Sequence, residues 1–299
     1  MQKIDAKIWM DGKFVSWNNA KIHILTHALH YGSGVFEGIR FYETDKGPAI
    51  FRLKDHIDRL FYSASKISMK IPYSKAVIIK TIKELIKINN LKDGYIRPLI
   101  FYGDKMGLSP RDCEVRVAIA AWPWPSYLGD KPVKACISNI MKLHPKSGYP
   151  DAKICGNYAN SILAKLDAQD RGFDEGILID WQGNVAEGPV ENLFIVKDNV
   201  LITPKPDSIL AGFTRDSVLQ IASHLKIKTK STNLKKKDLY EADEAFFCGT
   251  AAEITPIALI DKKQIGEKGI GIVTSELKER YLDAVHGRIP KFNKWLSTL

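Results

Sequence analysis

Four clusters in the chain combine residue types that packing alone does not call for. In Asp151-Ala152-Lys153-Ile154-Cys155-Gly156-Asn157-Tyr158 a lysine sits among small and apolar residues, and Glu187-Gly188-Pro189-Val190-Glu191-Asn192 follows with two carboxylates. Burial lowers the pKa of an amine, and a neutral amine is a nucleophile toward a carbonyl. In His30-Tyr31-Gly32-Ser33-Gly34-Val35-Phe36-Glu37-Gly38-Ile39-Arg40, three glycines stand beside aromatic and charged groups, a pattern for backbone that approaches something closely. Gly212-Phe213-Thr214-Arg215-Asp216 opens a helix, and the N–H groups of a helix start suit a phosphate. Cys248-Gly249-Thr250-Ala251-Ala252-Glu253 places small side chains after an apolar run, so main-chain N–H groups and the Thr250 hydroxyl are open to a ligand. Each cluster also has a plain reading as a turn, a capped helix or a surface lysine. Composition by itself does not select Lys153 from the other lysines.

The elements that must position these residues are visible in the periodicity. Asp11-Gly12 between short apolar runs predicts a hairpin. Ile57, Leu60, Phe61, Ala64 and Ile67 keep the spacing of one buried helix face, with Asp55 as the expected N-cap. Arg59 falls roughly opposite that stripe, so it reads as a solvated arginine unless a site lies on the far side. A second helix follows Ser74 on Ile78, Ile82, Leu85 and Ile86 and ends near Asn89-Asn90. Strands are expected at 95–102 and 115–121, giving an α+β first half. Trp122-Pro123-Trp124-Pro125-Ser126-Tyr127-Leu128-Gly129 reads as an interdomain linker, because its prolines break helices and central strands. Strands and helices alternate in the second half. Helices are expected at 160–168, with Ile162, Leu163 and Leu166 on one face, at 214–225 and at 275–286. Strands are expected at 175–180, 192–196, 200–203, 244–248 and 254–260. The expected division is a domain over 1–121, a linker over 122–132 and a domain over 133–299.

Composition bounds the class. The chain has 299 residues, 45% of them apolar and 26% charged, an ordinary globular balance. No run approaches the length of a membrane helix, and the first residues lack a signal-peptide pattern, so a cytoplasmic location is expected. The four cysteines, Cys113, Cys136, Cys155 and Cys248, have neither paired nor zinc-type spacing, so separate thiols and no metal are expected. The net charge of +10 raises nucleic-acid binding, but the lysines are spread along helical segments. A solvated surface that attracts small anions is the reading taken, with neither nucleic acid nor membrane as partner.

Five motifs in register, HALHYGSGVFEGIR from His27, YIRPLIF from Tyr95, KICGNYANS from Lys153, GFTRD from Gly212 and CGTAAEITP from Cys248, resemble the branched-chain amino-acid aminotransferases. The resemblance runs from about Ile8 to Val273. It implies a two-domain fold-type IV enzyme, α+β and α/β in class. A small N-terminal α+β domain would be joined to a larger C-terminal domain with a mixed or barrel-like sheet and helices. It implies pyridoxal 5'-phosphate as cofactor and amino-group transfer between L-leucine, L-isoleucine or L-valine and 2-oxoglutarate. The partners implied are amino acids, 2-oxo acids and a second copy of the chain.

The resemblance also implies roles. Lys153 matches the lysine that binds the aldehyde and then carries a proton, and Glu187 matches the carboxylate facing the ring nitrogen. Tyr158 matches the partner of the ring hydroxyl, and Leu210 would pack on the ring face. Arg59, the N–H groups of Phe213 and Thr214, and Thr250 match the phosphate cradle. For substrate, Tyr31, Phe36, Trp124 and Tyr127 match an apolar lining, with Gly38 and Arg40 in the same motif as Phe36. Tyr95, Arg97 and the N–H groups of Ala251 and Ala252 match groups that handle carboxylates. Leu108 resembles a loop residue given by a second subunit. Two departures bear on substrate preference: Pro189-Val190 stands where the family commonly has a residue of any type and then glycine, and the loop at 105–108 is one residue shorter. The alternatives are a D-amino-acid or (R)-amine transaminase or an aminodeoxychorismate lyase of the same fold, and, from another class, a non-catalytic basic protein that contacts nucleic acid.

Overall fold

A computed structural model describes residues 6–299 except 126, 130 and 267–269. The first five residues, read above for a signal peptide, and two positions of the expected linker therefore lie outside the described residues.

The chain forms two compact units, and they interleave in sequence. The first comprises residues 1–125, 152–156 and 285–299; the second comprises 126–151 and 157–284. This differs from the expected single boundary, and hydrogen bonding gives the reason. The strand Leu296–Thr298 pairs with Gly47–Phe51 (β5 below). The Lys153 segment is held by a bridge from Ile154 to Val35 and by the N–H of Phe36 donating to the Lys153 carbonyl at 3.1 Å. The N–H of Gly156 donates to the Gly32 carbonyl at 3.0 Å, and a Cβ on Gly32 would lie 2.7 Å from Gly156 Cα. Gly32, at φ +63°, also ends its helix in the left-handed region, so glycine is needed there twice over.

In the first unit, β1 (Lys7–Met10) and β2 (Lys13–Ser16) form the expected hairpin, with Asp11 and Gly12 both at positive φ. A short helix, α1 (His27–Tyr31), precedes β3 (Gly34–Phe36), β4 (Ile39–Thr44) and β5 (Gly47–Phe51). Two helices follow, α2 (Leu53–Lys66) and α3 (Lys75–Ile88), then β6 (Gly94–Tyr102) and β7 (Val115–Trp122). The strands make one antiparallel sheet in the order C-terminal strand, β5, β4, β6, β7, β1, β2, with β3 also on β6. Its core joins Ile39, Phe41, Ile96, Ile100, Val117 and Ile119 to Ile57, Leu60, Ile78 and Ile82 of the helices. Ser74 caps α3 as expected, accepting from the N–H of Val77 at 3.3 Å. Asp55 is not the cap of α2. That helix starts three residues earlier, after Arg52 at φ +53°, and Asp55 pairs with Arg52 inside the first turn.

The second unit contains β8 (Val133–Ile137), α4 (Tyr158–Asp170), β9 (Glu175–Ile177), β10 (Asn192–Lys197), β11 (Val200–Pro204) and α5 (Phe213–His224). It continues with β12 (Lys228–Thr232), α6 (Lys236–Tyr240), β13 (Glu244–Gly249), β14 (Glu253–Ile260) and β15 (Lys263–Gln264), and closes with α7 (Ile272–Val285). Its sheet is mixed, in the order β12, β11, β10, β13, β14, β8, β9, with parallel pairs β11–β12, β14–β8 and β8–β9. Leu193, Ile195, Phe247, Ile257 and Ile260 lie in its core. The apolar stripe of α4 is turned outward. Ala164 and Ala168 are buried, whereas Ile162, Leu163 and Leu166 are 58%, 54% and 48% exposed. The close approach of the helix to the sheet selects alanines, with β9's Gly176 lying under the Ala164 carbonyl. The larger side chains are left facing outward. No helix among the described residues is long and apolar enough to cross a membrane.

Candidate active site

The expected site residues fall into two sets, one in each unit. In the first unit they gather where β3, β6 and α2 meet the Lys153 segment. The N–H of Lys153 donates to Ser63 Oγ of α2 at 2.9 Å, and its Nζ lies 5.2 Å from the centre of the Phe36 ring. Burial lowers the Lys153 amine below its ordinary value; Glu37 opposes this, and Arg59 and Arg97 add to it. The amine is thereby moved toward its neutral, nucleophilic form.

Arg59 is not solvated. Its Nε donates to Glu37 Oε1 at 2.6 Å and its Nη2 to Oε2 at 2.9 Å, and the Glu37 side chain has no exposed area. His56 Nδ1 lies 2.7 Å from Glu37 Oε2. A carboxylate only accepts, so Nδ1 carries the proton. Burial would raise the Glu37 pKa, but the Arg59 charge and the bonds from Arg59 and His56 outweigh it and hold the carboxyl well below the usual range. Burial also drives His56 toward neutrality, which leaves Arg59 as the permanent charge on the pair. Glu37 and His56 were given no role from sequence. Glu37 lies inside the quoted motif; its link to Arg59 is a contact across 22 positions that no local pattern encodes.

Arg97 donates from Nη2 to the Tyr95 hydroxyl at 3.3 Å, and its guanidinium stacks 4.7 Å from the Phe36 ring centre. Its Nε is buried without a hydrogen-bond partner, a donor fit for an anion. Gly38 lies against the same tyrosine: a Cβ there would fall 1.8 Å from the Tyr95 hydroxyl. Trp124 meets the Tyr95 ring edge-on at 4.5 Å and stacks on Trp122. Arg40 is tied to this aromatic segment, donating to the carbonyls of Trp124 at 3.1 Å and Pro125 at 2.9 Å. These bonds tie the Arg40 guanidinium to the main chain of the aromatic segment. Tyr31 is half exposed beside His27. Leu108 is 85% exposed and is not gathered with the others.

In the second unit the set centres on Glu187, which is buried. Asn192 Nδ2 donates to Glu187 Oε2 at 2.9 Å and to the Leu210 carbonyl at 3.0 Å, and the Leu210 N–H lies 3.2 Å from both carboxylate oxygens. Lys142 Nζ is 2.5 Å from Oε1. Asn192 had been quoted only as part of a motif, and Lys142 lay in none. Phe213 and Thr214 form the first turn of α5, whose Gly212 cap supplies no side-chain bond to the helix start. Thr214 Oγ1 is buried without a partner. A Cβ on Gly212 would lie 2.0 Å from Asn192 Oδ1, so this turn requires glycine. Tyr158 is the first residue of α4. Thr250, Ala251 and Ala252 lie at the turn between β13 and β14; the Ala251 carbonyl accepts from the N–H of Tyr127 at 3.1 Å. Val190 is half exposed, and its N–H donates to Glu191 Oε2 at 3.2 Å. Glu191 is buried; burial and the nearby Glu175 raise its pKa well above the ordinary value.

Taken unit by unit, the donors match parts of a phosphorylated pyridine aldehyde. The first unit has an amine moved toward neutrality, suited to an aldehyde; the second has a buried carboxylate, suited to a ring nitrogen, and a helix start with an orphaned buried hydroxyl, suited to a phosphate. Comparison with known proteins agrees with that chemistry. The family model described as amino-transferase class IV matches residues 34–260. A branched-chain-amino-acid aminotransferase of Pseudomonas aeruginosa is 44% identical over 97% of this chain and 96% of its own. The crystal structure of a branched-chain amino acid aminotransferase from Thermobaculum terrenum in its PLP-form superimposes with a TM-score of 0.93 at 32% identity, covering 99% of each chain. The Escherichia coli branched-chain amino acid aminotransferase gives a TM-score of 0.96 at 40% identity over 98% of this chain and 99% of that one. With a family model matching most of its length and a curated relative at 44% identity, this chain belongs to the class IV aminotransferases.

Proposed function

We propose that this protein transfers an amino group between L-leucine, L-isoleucine or L-valine and 2-oxoglutarate, with pyridoxal 5'-phosphate bound at Lys153. The observation that carries the reading is the Lys153 amine, lowered by burial and flanked by Arg59 and Arg97. When bound, the cofactor supplies the electron sink that stabilises charge on the substrate Cα. The rest is done by the chain. Lys153 Nζ would hold the aldehyde and carry the proton of the substrate Cα. Glu187 would partner the ring nitrogen. Tyr158 would bind the ring hydroxyl, and Leu210 would pack against the ring. Arg59, the N–H groups of Phe213 and Thr214, and the hydroxyls of Thr214 and Thr250 hold the phosphate. Tyr31, Phe36, Gly38, Trp124, Tyr127 and Val190 shape the apolar wall for the aliphatic side chain. Arg40 supports that wall from behind. Arg97, Tyr95 and the N–H groups of Ala251 and Ala252 receive carboxylates, so glutamate and leucine use the same site. The exposed Leu108 and the outward stripe of α4 support a homodimer or higher assembly, in which Leu108 reaches the site of a second copy.

Borohydride reduction of the cofactor-loaded protein tests the core of this reading. Mass spectrometry should find the pyridoxyl group on the Lys153 peptide, and Lys153→Ala should lose both the label and activity. Attachment at another lysine would overturn it. A donor panel of leucine, glutamate, D-alanine and an (R)-amine should consume the visible band of the loaded protein with leucine and glutamate. Consumption by D-alanine or the (R)-amine alone would favour the other transaminases of this fold.

A further inference from the structure

Lys142 has no part in the roles given above, yet it makes the shortest polar contact to Glu187. Its Nζ lies 2.5 Å from Glu187 Oε1, and the two side chains are only 12% and 5% exposed. Its backbone is fixed as well, because the Lys142 N–H donates to the Ile179 carbonyl at 2.9 Å. The ammonium is therefore delivered from a bonded segment. An exposed ion pair is worth little, but one this well buried leaves a lone charge in low dielectric if either partner is removed. The other groups around Glu187 do not duplicate it. Asn192 and the Leu210 N–H are neutral donors at 2.9 and 3.2 Å. Arg215 on α5 acts on Glu187 only through its field. Burial raises the Glu191 carboxyl and the Cys248 thiol above their ordinary ranges, and neither supplies a positive charge to Glu187.

We infer that Lys142 is a positioning residue for Glu187: it fixes one carboxylate oxygen and shares its negative charge, and so sets how tightly Glu187 holds a proton on the cofactor's ring nitrogen. The inference rests on the reading of Glu187 as the ring-nitrogen partner. The sign follows from electrostatics. A carboxylate that already neutralises an ammonium is a weaker acceptor for a second cation, and the two cations repel each other. Lys142 thus restrains the protonated ring, and removing its charge strengthens the hold.

The test is nitrogen NMR of ring-labelled cofactor bound to the whole protein, followed against pH. Lys142→Met and Lys142→Gln should each move the loss of the ring proton to higher pH, by about one unit. Lys142→Arg, which keeps the charge, should titrate close to the wild type. Gln retains a hydrogen bond and reads the same quantity should the Met variant fold poorly. Glu187→Gln serves as the reference. If it leaves the ring nitrogen protonated as in the wild type, the role of Glu187 itself falls, and the inference with it. If Glu187→Gln removes the ring proton while Met and Gln at 142 leave the titration unmoved, the inference about Lys142 fails and the role of Glu187 stands. Equal shifts in the Arg, Met and Gln variants would mark a packing effect and also overturn it.

Discussion

Glu37 takes Arg59 on both of its oxygens and His56 on one, with no exposed area to share the charge with water. Breaking a buried pair of this kind costs about 3–5 kcal/mol, because the partner is left charged and unpaired. Glu37→Gln is therefore expected to lower the unfolding free energy by roughly that amount in denaturant titrations. The sign of the pH dependence is fixed by the depressed carboxyl. Its contribution is fully present above the ordinary value of 4.5 and is lost as pH falls through the lower value of the folded state, so the wild type should lose stability on acidification more steeply than the Gln variant. Function separates the residue's role from mere stability. If Glu37 orients Arg59 toward a phosphate, Glu37→Gln should weaken pyridoxal 5'-phosphate more than it weakens pyridoxal, by about tenfold for a misplaced charged hydrogen bond. Equal loss for both ligands, measured by equilibrium binding, would reduce Glu37 to a structural ion pair. None of this was legible in the sequence. Arg59 sits opposite an apolar stripe, as solvated arginines do, and only the folded sheet brings Glu37 across to it.

At the scale of elements, the start of α5 does the most with the least. Gly212 leaves the turn without a side-chain cap, and Thr214 keeps a buried hydroxyl with no partner in the protein. Such a group carries a desolvation penalty that a ligand can relieve. Thr214→Val is expected to leave unfolding stability unchanged or raised, and to weaken pyridoxal 5'-phosphate about tenfold with little change for pyridoxal. Both ligands weakening alike would refute the phosphate assignment. The turn before β10 invites a different experiment, because Val190 is half exposed where a family glycine would leave room. Val190→Gly should widen the accepted donors, and unchanged relative rates across a donor panel would refute that. What could be read from the sequence at this scale depended on local chemistry. Asp11-Gly12 and Ser74 announced the hairpin and the cap of α3 because a turn and a cap are made by the residues that carry them. Strand β12 went unread for the opposite reason: Lys228 and Lys230 line an exposed edge that pairs only with β11, and charge on an edge erases the alternation that marks a strand. The α4 stripe was legible as one apolar face, but periodicity is silent on whether the chain itself covers that face.

For the whole molecule, that uncovered face is the informative one. Ile162 and Leu166 are one helical turn apart on α4, with Leu163 beside them, and all three are about half exposed. Scattered apolar residues on a surface are ordinary, but a stripe at helical spacing on one element suits the second copy of the chain proposed above. The net charge of +10 works against self-association through long-range repulsion, so the apolar contact has to supply the affinity. Burying one such side chain is worth roughly 1.5–3 kcal/mol. Replacing Ile162 and Leu166 together by glutamate therefore removes about 3–6 kcal/mol of favourable burial and adds carboxylates to be desolvated. That is enough to raise a dimer dissociation constant by two to four orders of magnitude, at roughly 1.4 kcal/mol per tenfold. Sedimentation equilibrium of the wild type is expected to give a dimer or larger species at micromolar concentration, and the double variant a markedly weaker one with unchanged circular dichroism. Because Leu108 is proposed to serve a second copy, dilution of the double variant should also lower activity per chain, and a fully active monomer would break the link between assembly and catalysis.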